Sequence, residues 1–191
     1  MLNIFRPKIS LRDKSENIYL PEIPENLVNN HKKLIKKLTT KNETIFKKLE
    51  RIYKFTDLYN RFVSTFSVCK KSCSHCCNID VLVTEIEAEL IAVKLNWPID
   101  RSRTFTANHT TPCPFLDSKN KCSIYKVRPF NCRTFHTLDD PKYCESGEVH
   151  NIYGTPDNNY SNTMLKSCSV AISEMNSNNL RKDIRDFFKK S

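Results

Sequence analysis

Four cysteines within nine residues constrain this chain more strongly than any other feature of its sequence. They are Cys69, Cys73, Cys76 and Cys77, and this spacing puts all four on one face if the segment is an α-helix. A tight loop, as in many metal-binding knuckles, would also bring the sulfur atoms together. A buried helix face can use cysteine as a small hydrophobe, but the five cysteines that follow disfavour that interpretation.

A second cysteine block begins at Cys113. The polar residues Asp117–Lys121, between two more apolar stretches, predict a hairpin that folds Cys122 back towards Cys113. Arg128-Pro129 then predicts a new turn that brings Cys132 round. The candidate metal ligands of the two blocks are Cys69, Cys73, Cys76, Cys77, Cys113, Cys122, Cys132 and Cys144.

Clustered thiolates are soft ligands that select zinc, copper(I) or iron–sulfur centres, and each site needs about four of them. Because Cys76 and Cys77 are adjacent, they favour more than one metal or a bridging thiolate. Eight cysteines could hold two four-thiolate ions, and six could hold a binuclear cluster; the spacing does not choose between them. His75 and His136 are the histidines that could substitute for a cysteine ligand.

Composition excludes several other classes of protein. The chain has only two glycines, and it contains no Gly-rich phosphate loop, Ser-His-Asp set or paired-carboxylate arrangement. Its first residues lack the apolar core of a signal peptide, and no apolar run reaches the length of a membrane span. We therefore expect a soluble, cytoplasmic protein with no membrane partner. In a reducing compartment, nine cysteines indicate metal ligands or redox groups rather than disulfides.

The apolar pattern predicts a mainly α fold with short irregular or hairpin segments around a cysteine-ligated metal site. Residues 1–25 have no helical or strand period and are predicted to be an extended or partly disordered arm. Residues 26–191 are predicted to form one helical domain whose cysteine core is 69–144. Its helices are expected at 26–66, with a possible break near 40–42 that makes a helix pair, and at 85–95, 161–175 and 180–190. The first segment repeats apolar residues every seven positions, at Leu38, Ile45, Ile52, Tyr59 and Phe66. Thr84 and Glu87 predict a capping box at the start of the second, whose inward residues are expected to be Ile86, Leu90, Ile91 and Leu95.

Positive charge is not spread evenly along the chain. The net charge is +10, and residues 31–54 hold nine basic residues against two acidic ones. These charges flank an apolar stripe, so the simpler interpretation is a solvated helix surface. A binding surface for nucleic acid is the alternative, and we expect it less because no exposed aromatic residues interleave with the basic ones.

The order and spacing of the cysteine motifs resemble the YkgJ-like cysteine-cluster family, described as a zinc- or iron-chelating domain. The resemblance covers residues 69–144 and rests on the blocks C-K-K-S-C-S-H-C-C, C-P-F-L, C-S-I-Y-K-V-R-P-F-N-C-R and F-H-T-L-D-D-P-K-Y-C. It implies that the eight cysteines named above are the metal-binding positions and that Cys168 is a core thiol. Ser72 stands where relatives often carry glycine, which implies a tighter or more helical turn there.

Three functions follow as hypotheses. The first is a protein that binds zinc, iron or an Fe–S centre for metal handling or electron transfer. The second is an enzyme that uses such a centre, because members of the resembled family are often labelled Fe–S oxidoreductases and a related cysteine block occurs in flagellin lysine methylases. The third is a zinc-stabilised module that binds nucleic acid or protein. In all three, Phe115 and Tyr125 are expected to pack over the site, while Arg128 and Arg133 donate hydrogen bonds to thiolates or backbone carbonyls.

Overall fold

The computed structural model describes residues 8–15, 17–40, 42–70, 72–154 and 163–188. Within these ranges the chain forms seven α-helices and one short 3-10 helix, His75–Asn78. The α-helices are α1 (Glu25–Leu38), α2 (Ile45–Val63), α3 (Glu85–Leu95), α4 (Phe130–Thr134), α5 (Lys142–Ser146), α6 (Thr163–Met175) and α7 (Ile184–Phe187).

The strands pair into three small antiparallel sheets in the described part of the chain. They are β1 (Lys8–Ser10) with β2 (Asn17–Tyr19), β3 (Leu82–Thr84) with β6 (Arg181–Asp183), and β4 (His136–Thr137) with β5 (Ile152–Tyr153). Helices supply most of the regular structure, but three small sheets add to it, and one of them, β3 with β6, joins segments that are far apart in sequence. The prediction of a mainly α fold is therefore confirmed only in part.

The predicted N-terminal helical segment is a helix pair, because the chain leaves the helix after Leu38 and begins a new one at Ile45. The Thr44 side chain caps α2 by accepting a hydrogen bond from the Lys47 amide at 3.3 Å. Ile52 and Tyr59 are fully buried, as the apolar repeat predicts. Ile45 belongs to the same repeat but is 45 % exposed, because it is the first residue of the helix.

Helix α3 begins where the sequence predicts it, with a capping box formed by Thr84 and Glu87. Ile86, Leu90 and Ile91 are buried, as expected. Leu95, also expected inside, is 39 % exposed. It is the last residue of the helix, and the left-handed Asn96 that follows turns the chain away.

The arm predicted at residues 1–25 contains a hairpin that the sequence pattern did not indicate. Ile9 and Leu11 are buried there, and the Asn151 side chain donates a hydrogen bond to the carbonyl of Ser10 at 2.8 Å. The pattern missed this hairpin because each strand is only three residues long, too short for alternation to show. Residues 1–7 and 16 lie outside the described part.

The prediction of a C-terminal helix at 180–190 is wrong for its first residues. Residues Arg181–Asp183 form β6 instead, and the Asp183 side chain caps α7 by accepting from the Arg185 amide at 2.8 Å. Pairing with β3, about one hundred residues away, overrides the local helical pattern. Residues 189–191 are outside the described part.

Two apolar cores flank the cysteine segments. The larger one joins α1, α2, α6 and the N-terminal hairpin, and the smaller one joins α3, α7 and the segment around Phe115 and Ile124. Cys113 and Cys122 pack against the smaller core. Across the described residues, no helix combines the length and apolar character needed to cross a bilayer.

Candidate metal centre

The first cysteine block is a loop that ends in the 3-10 helix, so the α-helical alternative for it is wrong. The Cys77 amide donates to the Ser74 carbonyl at 2.8 Å, and the Cys73 amide donates to the Lys70 carbonyl at 3.0 Å. Ser72 has φ +83°, in the left-handed region that glycine adopts most easily. Ser72 therefore has the backbone conformation of the glycine that relatives often carry there, so of the two expected alternatives the turn is tight and not more helical.

The second block forms the predicted hairpin. Leu116 and Cys122 make an antiparallel bridge, and the Asp117 amide donates to the Lys121 carbonyl at 2.9 Å. Pro129 then precedes α4, which carries Cys132. Local turn signals therefore suffice to bring Cys122 back beside Cys113.

Direct backbone contact holds the two blocks together. The Cys113 amide donates to the Cys77 carbonyl at 2.8 Å. The guanidinium of Arg185, on α7, also donates to the Cys77 carbonyl at 3.1 Å and to the Thr111 carbonyl at 2.7 Å. The sequence analysis missed Arg185, because nothing local links residue 185 to either cysteine block.

Two adjoining cavities, of about 420 and 550 Å³, lie between the blocks. Three cysteines and Arg128 line both of them: Cys73, Cys76 and Cys132. The smaller cavity is also lined by Cys77, Cys113 and Cys122, and the larger one by Cys69. Seven of the eight predicted ligands therefore line these two adjoining cavities, and Cys76 is one of the three that line both.

Cys144, on α5, lines neither cavity but lies close to the first block. It is 3 % exposed. Burial, with a smaller contribution from the neighbouring thiols of Cys69, Cys76 and Cys73, raises the pKa of the Cys144 thiol to about 12. Its sulfur is 3.5 Å from Nε2 of His150, a histidine that the sequence analysis did not select.

The thiols influence one another's ionisation. A hydrogen bond with Cys77 lowers the pKa of Cys76 to about 7, and the same contact raises the pKa of Cys77. Burial raises the pKa of Cys69 and of Cys113 to about 11 each. Burial also raises the pKa of Cys132, to which the thiols of Cys76, Cys113 and Cys122 contribute as well. Cys76 is thus the thiol in this group that ionises most easily.

Among the described residues, no three cysteine sulfurs all lie within 4.8 Å of one another. Among the residues that the structure describes, the group of potential ligand atoms within 4.8 Å of one another is Asp80, His109 and Asp183. These side chains already hydrogen bond to protein groups: Asp80 accepts from Nδ1 of His109 at 2.7 Å, and Asp183 accepts from the Arg185 guanidinium at 3.0 Å. This group joins the loop before Cys113 to α7 and is a structural network.

Arg128 and Arg133 behave differently from each other. Arg133 is buried and donates to the carbonyls of Lys126 and Arg128, which confirms the predicted backbone contact. The Arg128 guanidinium instead stacks on the Tyr125 ring at 4.1 Å, and its Nε is buried with no hydrogen-bond partner among the described residues. Arg128 thus offers positive charge to the thiols on both sides of it.

The other residues named in the sequence analysis make ordinary packing and polar contacts. His75 pairs with Glu145 at 2.8 Å, and His136 contacts the Asn60 side chain at 3.0 Å. Tyr125 borders both cavities, as expected, whereas Phe115 is buried in the smaller core beneath them. Cys168 is fully buried on α6, in the larger core.

Comparison with known proteins gives one match. The CxxCxxCC protein-family model, described as "Putative zinc- or iron-chelating domain", matches residues 68–169, slightly more than half of the chain. No curated protein and no solved structure matches the chain.

Proposed function

The chain belongs to the CxxCxxCC family of zinc- or iron-chelating domains, and we propose that it binds zinc or iron through its eight clustered cysteines. The observation that carries this proposal is the pair of adjoining cavities that the cysteines line. Seven reduced cysteines from three segments line the two cavities, and Cys144 lies beside them. Cysteines used only as small hydrophobes would be packed like Cys168, without cavities around their sulfur atoms.

The chemistry of these donors fits a metal centre of either kind. When bound, zinc would supply structural cross-linking and an Fe–S cluster would supply one-electron transfer. The cavities leave the thiols room to rotate towards a common ion. Cys76 borders both cavities and ionises most easily, so it is the thiolate best placed to be shared between two metals.

Arg128 supports an anionic centre. Several thiolates on a divalent ion carry net negative charge. The Arg128 guanidinium, which lines both cavities and whose Nε has no hydrogen-bond partner among the described residues, offsets that charge. We infer that the working protein handles metal or transfers electrons in a reducing compartment such as the cytoplasm, where its thiols stay reduced.

Metal analysis of protein purified without oxygen tests the proposal. We expect stoichiometric zinc in colourless protein, or iron and sulfide in brown protein. Cys113→Ser should lower the ratio of metal to protein, whereas the control Cys168→Ala should leave it unchanged and cost roughly 1 kcal/mol of stability. Protein with neither metal, or a Cys168→Ala variant that loses metal while Cys113→Ser keeps it, would overturn the assignment.

An enzyme that uses the centre is the second candidate, and the smaller cavity favours it. Its volume of about 420 Å³ falls in the range of small-molecule sites. Apolar side chains form one wall of it, including Val81, Leu82 and Ile184. Leu82→Asp should then abolish binding of an apolar small molecule while leaving the metal content unchanged; metal-loaded protein that binds no such molecule would contradict this candidate.

A further inference from the structure

We propose that His150 is a metal ligand, and that it shares a metal ion with Cys144 in a site of mixed sulfur and nitrogen donors. This inference rests on the proposed function, because it assumes that the cysteines bind metal. It adds a ligand that neither the cysteine spacing nor the family model assigns.

The hydrogen bond at Nδ1 fixes which ring nitrogen of His150 is free. Nδ1 lies 2.6 Å from the Glu148 carbonyl, and a carbonyl can only accept a hydrogen bond. Nδ1 therefore carries a hydrogen, and in the neutral ring Nε2 has the lone pair. This is the arrangement that metal-binding histidines have in proteins, with the second nitrogen held by a backbone carbonyl or a carboxylate.

The free nitrogen is at ligand distance from a cysteine. Zinc lies about 2.3 Å from sulfur and about 2.0–2.1 Å from nitrogen, so two such ligands at a tetrahedral angle are about 3.6 Å apart. The distance between Nε2 of His150 and Sγ of Cys144 is 3.5 Å. In the metal-free protein the Cys144 thiol can donate its hydrogen across this gap, and a metal ion would replace that proton.

The loop that carries His150 is held from two sides. The Arg12 guanidinium, from the N-terminal hairpin, donates to the Val149 carbonyl at 2.9 Å and pairs with Glu148. On the other side, the Asn151 amide donates to the Asp139 carboxylate at 2.7 Å. These contacts fix the backbone on both sides of the ring, as a pre-organised ligand requires.

The other two candidate histidines fit this role less well. Nδ1 of His75 is likewise held by a carboxylate, that of Glu145 at 2.8 Å, but its side chain is 42 % exposed. In His136, Nε2 contacts the Asn60 amide group instead of a sulfur atom. His150 is the histidine for which a contact with a cysteine sulfur is observed in the described residues.

X-ray absorption at the zinc edge tests the assignment on the full-length, zinc-loaded protein. The wild type should show a nitrogen shell at about 2.0–2.1 Å, with the scattering pattern of imidazole, beside sulfur at about 2.3 Å. His150→Gln should remove that shell and weaken one zinc site at least tenfold. His150→Cys should keep the zinc with sulfur ligands alone, and His75→Gln should keep the imidazole signal.

The outcomes separate this inference from the function on which it rests. Three results would overturn the ligand assignment and leave the proposed function standing. They are zinc bound by sulfur alone in the wild type, an imidazole shell that survives in His150→Gln, and an imidazole shell that disappears in His75→Gln. A wild-type protein that binds neither zinc nor iron would overturn both. The melting temperature of each variant shows whether it is folded. If His150→Gln does not fold, the loss of the imidazole shell in His150→Cys, with zinc retained, tests the assignment instead.

Discussion

Replacing Glu87 with glutamine tests how α3 is joined to α4, the helix that carries Cys132. Glu87 is 4 % exposed. Its Oε1 accepts from the Tyr53 hydroxyl at 3.0 Å and from the Phe130 amide at 2.7 Å. Its Oε2 accepts from the Thr84 amide at 3.1 Å and from the Thr84 hydroxyl at 2.7 Å.

All four groups donate, so the site needs two acceptor oxygens, and glutamine has only one. Whichever way its amide turns, the NH₂ group faces a backbone N–H, either that of Phe130 or that of Thr84. A hydroxyl can rotate to accept, but a backbone N–H cannot. One unsatisfied buried donor costs about 1–3 kcal/mol, and the other hydrogen bonds weaken because the acceptor loses its charge. We expect Glu87→Gln to lower the free energy of unfolding by about 3 kcal/mol.

Urea denaturation followed by fluorescence of Trp97, the single tryptophan, measures this loss. Thermal melting should show it as a drop of about 6–12 °C, at about 2–4 °C per kcal/mol. The matched control is Glu50→Gln, because Glu50 is 49 % exposed and pairs with Lys94 at 2.9 Å. That change should cost no more than about 0.5 kcal/mol. Equal denaturation midpoints for the two variants would refute the reasoning.

Further predictions concern the metal, the turn, pH and charge. Strong chelation should melt residues 69–144, since a structural zinc contributes on the order of 10 kcal/mol; an unchanged melting temperature and full protease resistance would contradict this. Ser72→Gly should raise the free energy of unfolding by about 0.5–1 kcal/mol, because it relieves the positive φ, and Ser72→Ala should not. Burial lowers the pKa of His136 to about 4, so the unfolded chain binds the proton more tightly, and stability should fall by about 2–3 kcal/mol as pH drops from about 6.5 to 4; His136→Gln should flatten that slope in denaturation series. Duplex DNA should bind weakly, and tight binding with a log–log salt slope of about −0.9 per phosphate would contradict the solvated-surface interpretation if it is lost on replacing Lys32, Lys33, Lys36 and Lys37.

Features determined by neighbouring residues could be predicted from the sequence. The capping box at Thr84 and Glu87 spans one helical turn, and the polar run Asp117–Lys121 turns the chain within a few residues. The buried face of α6 follows the helical period, so Cys168 could be assigned to the core. Such signals act over distances that the local backbone geometry fixes. The family resemblance added the grouping of the cysteines, because their order and spacing are themselves sequence features.

Only the tertiary structure decided how these pieces meet. The strand at Arg181–Asp183 exists because β3 supplies its partner, and that pairing brings the Arg185 guanidinium to the Cys77 carbonyl. Arg12 reaches the loop of His150 across more than one hundred residues. A short strand or a single charged side chain carries no local signal of its distant partner, since burial and hydrogen bonding arise only after the chain has folded. The sequence therefore indicated which cysteines are candidate metal ligands, and the fold determined which of them line a shared cavity and brought His150 to Cys144.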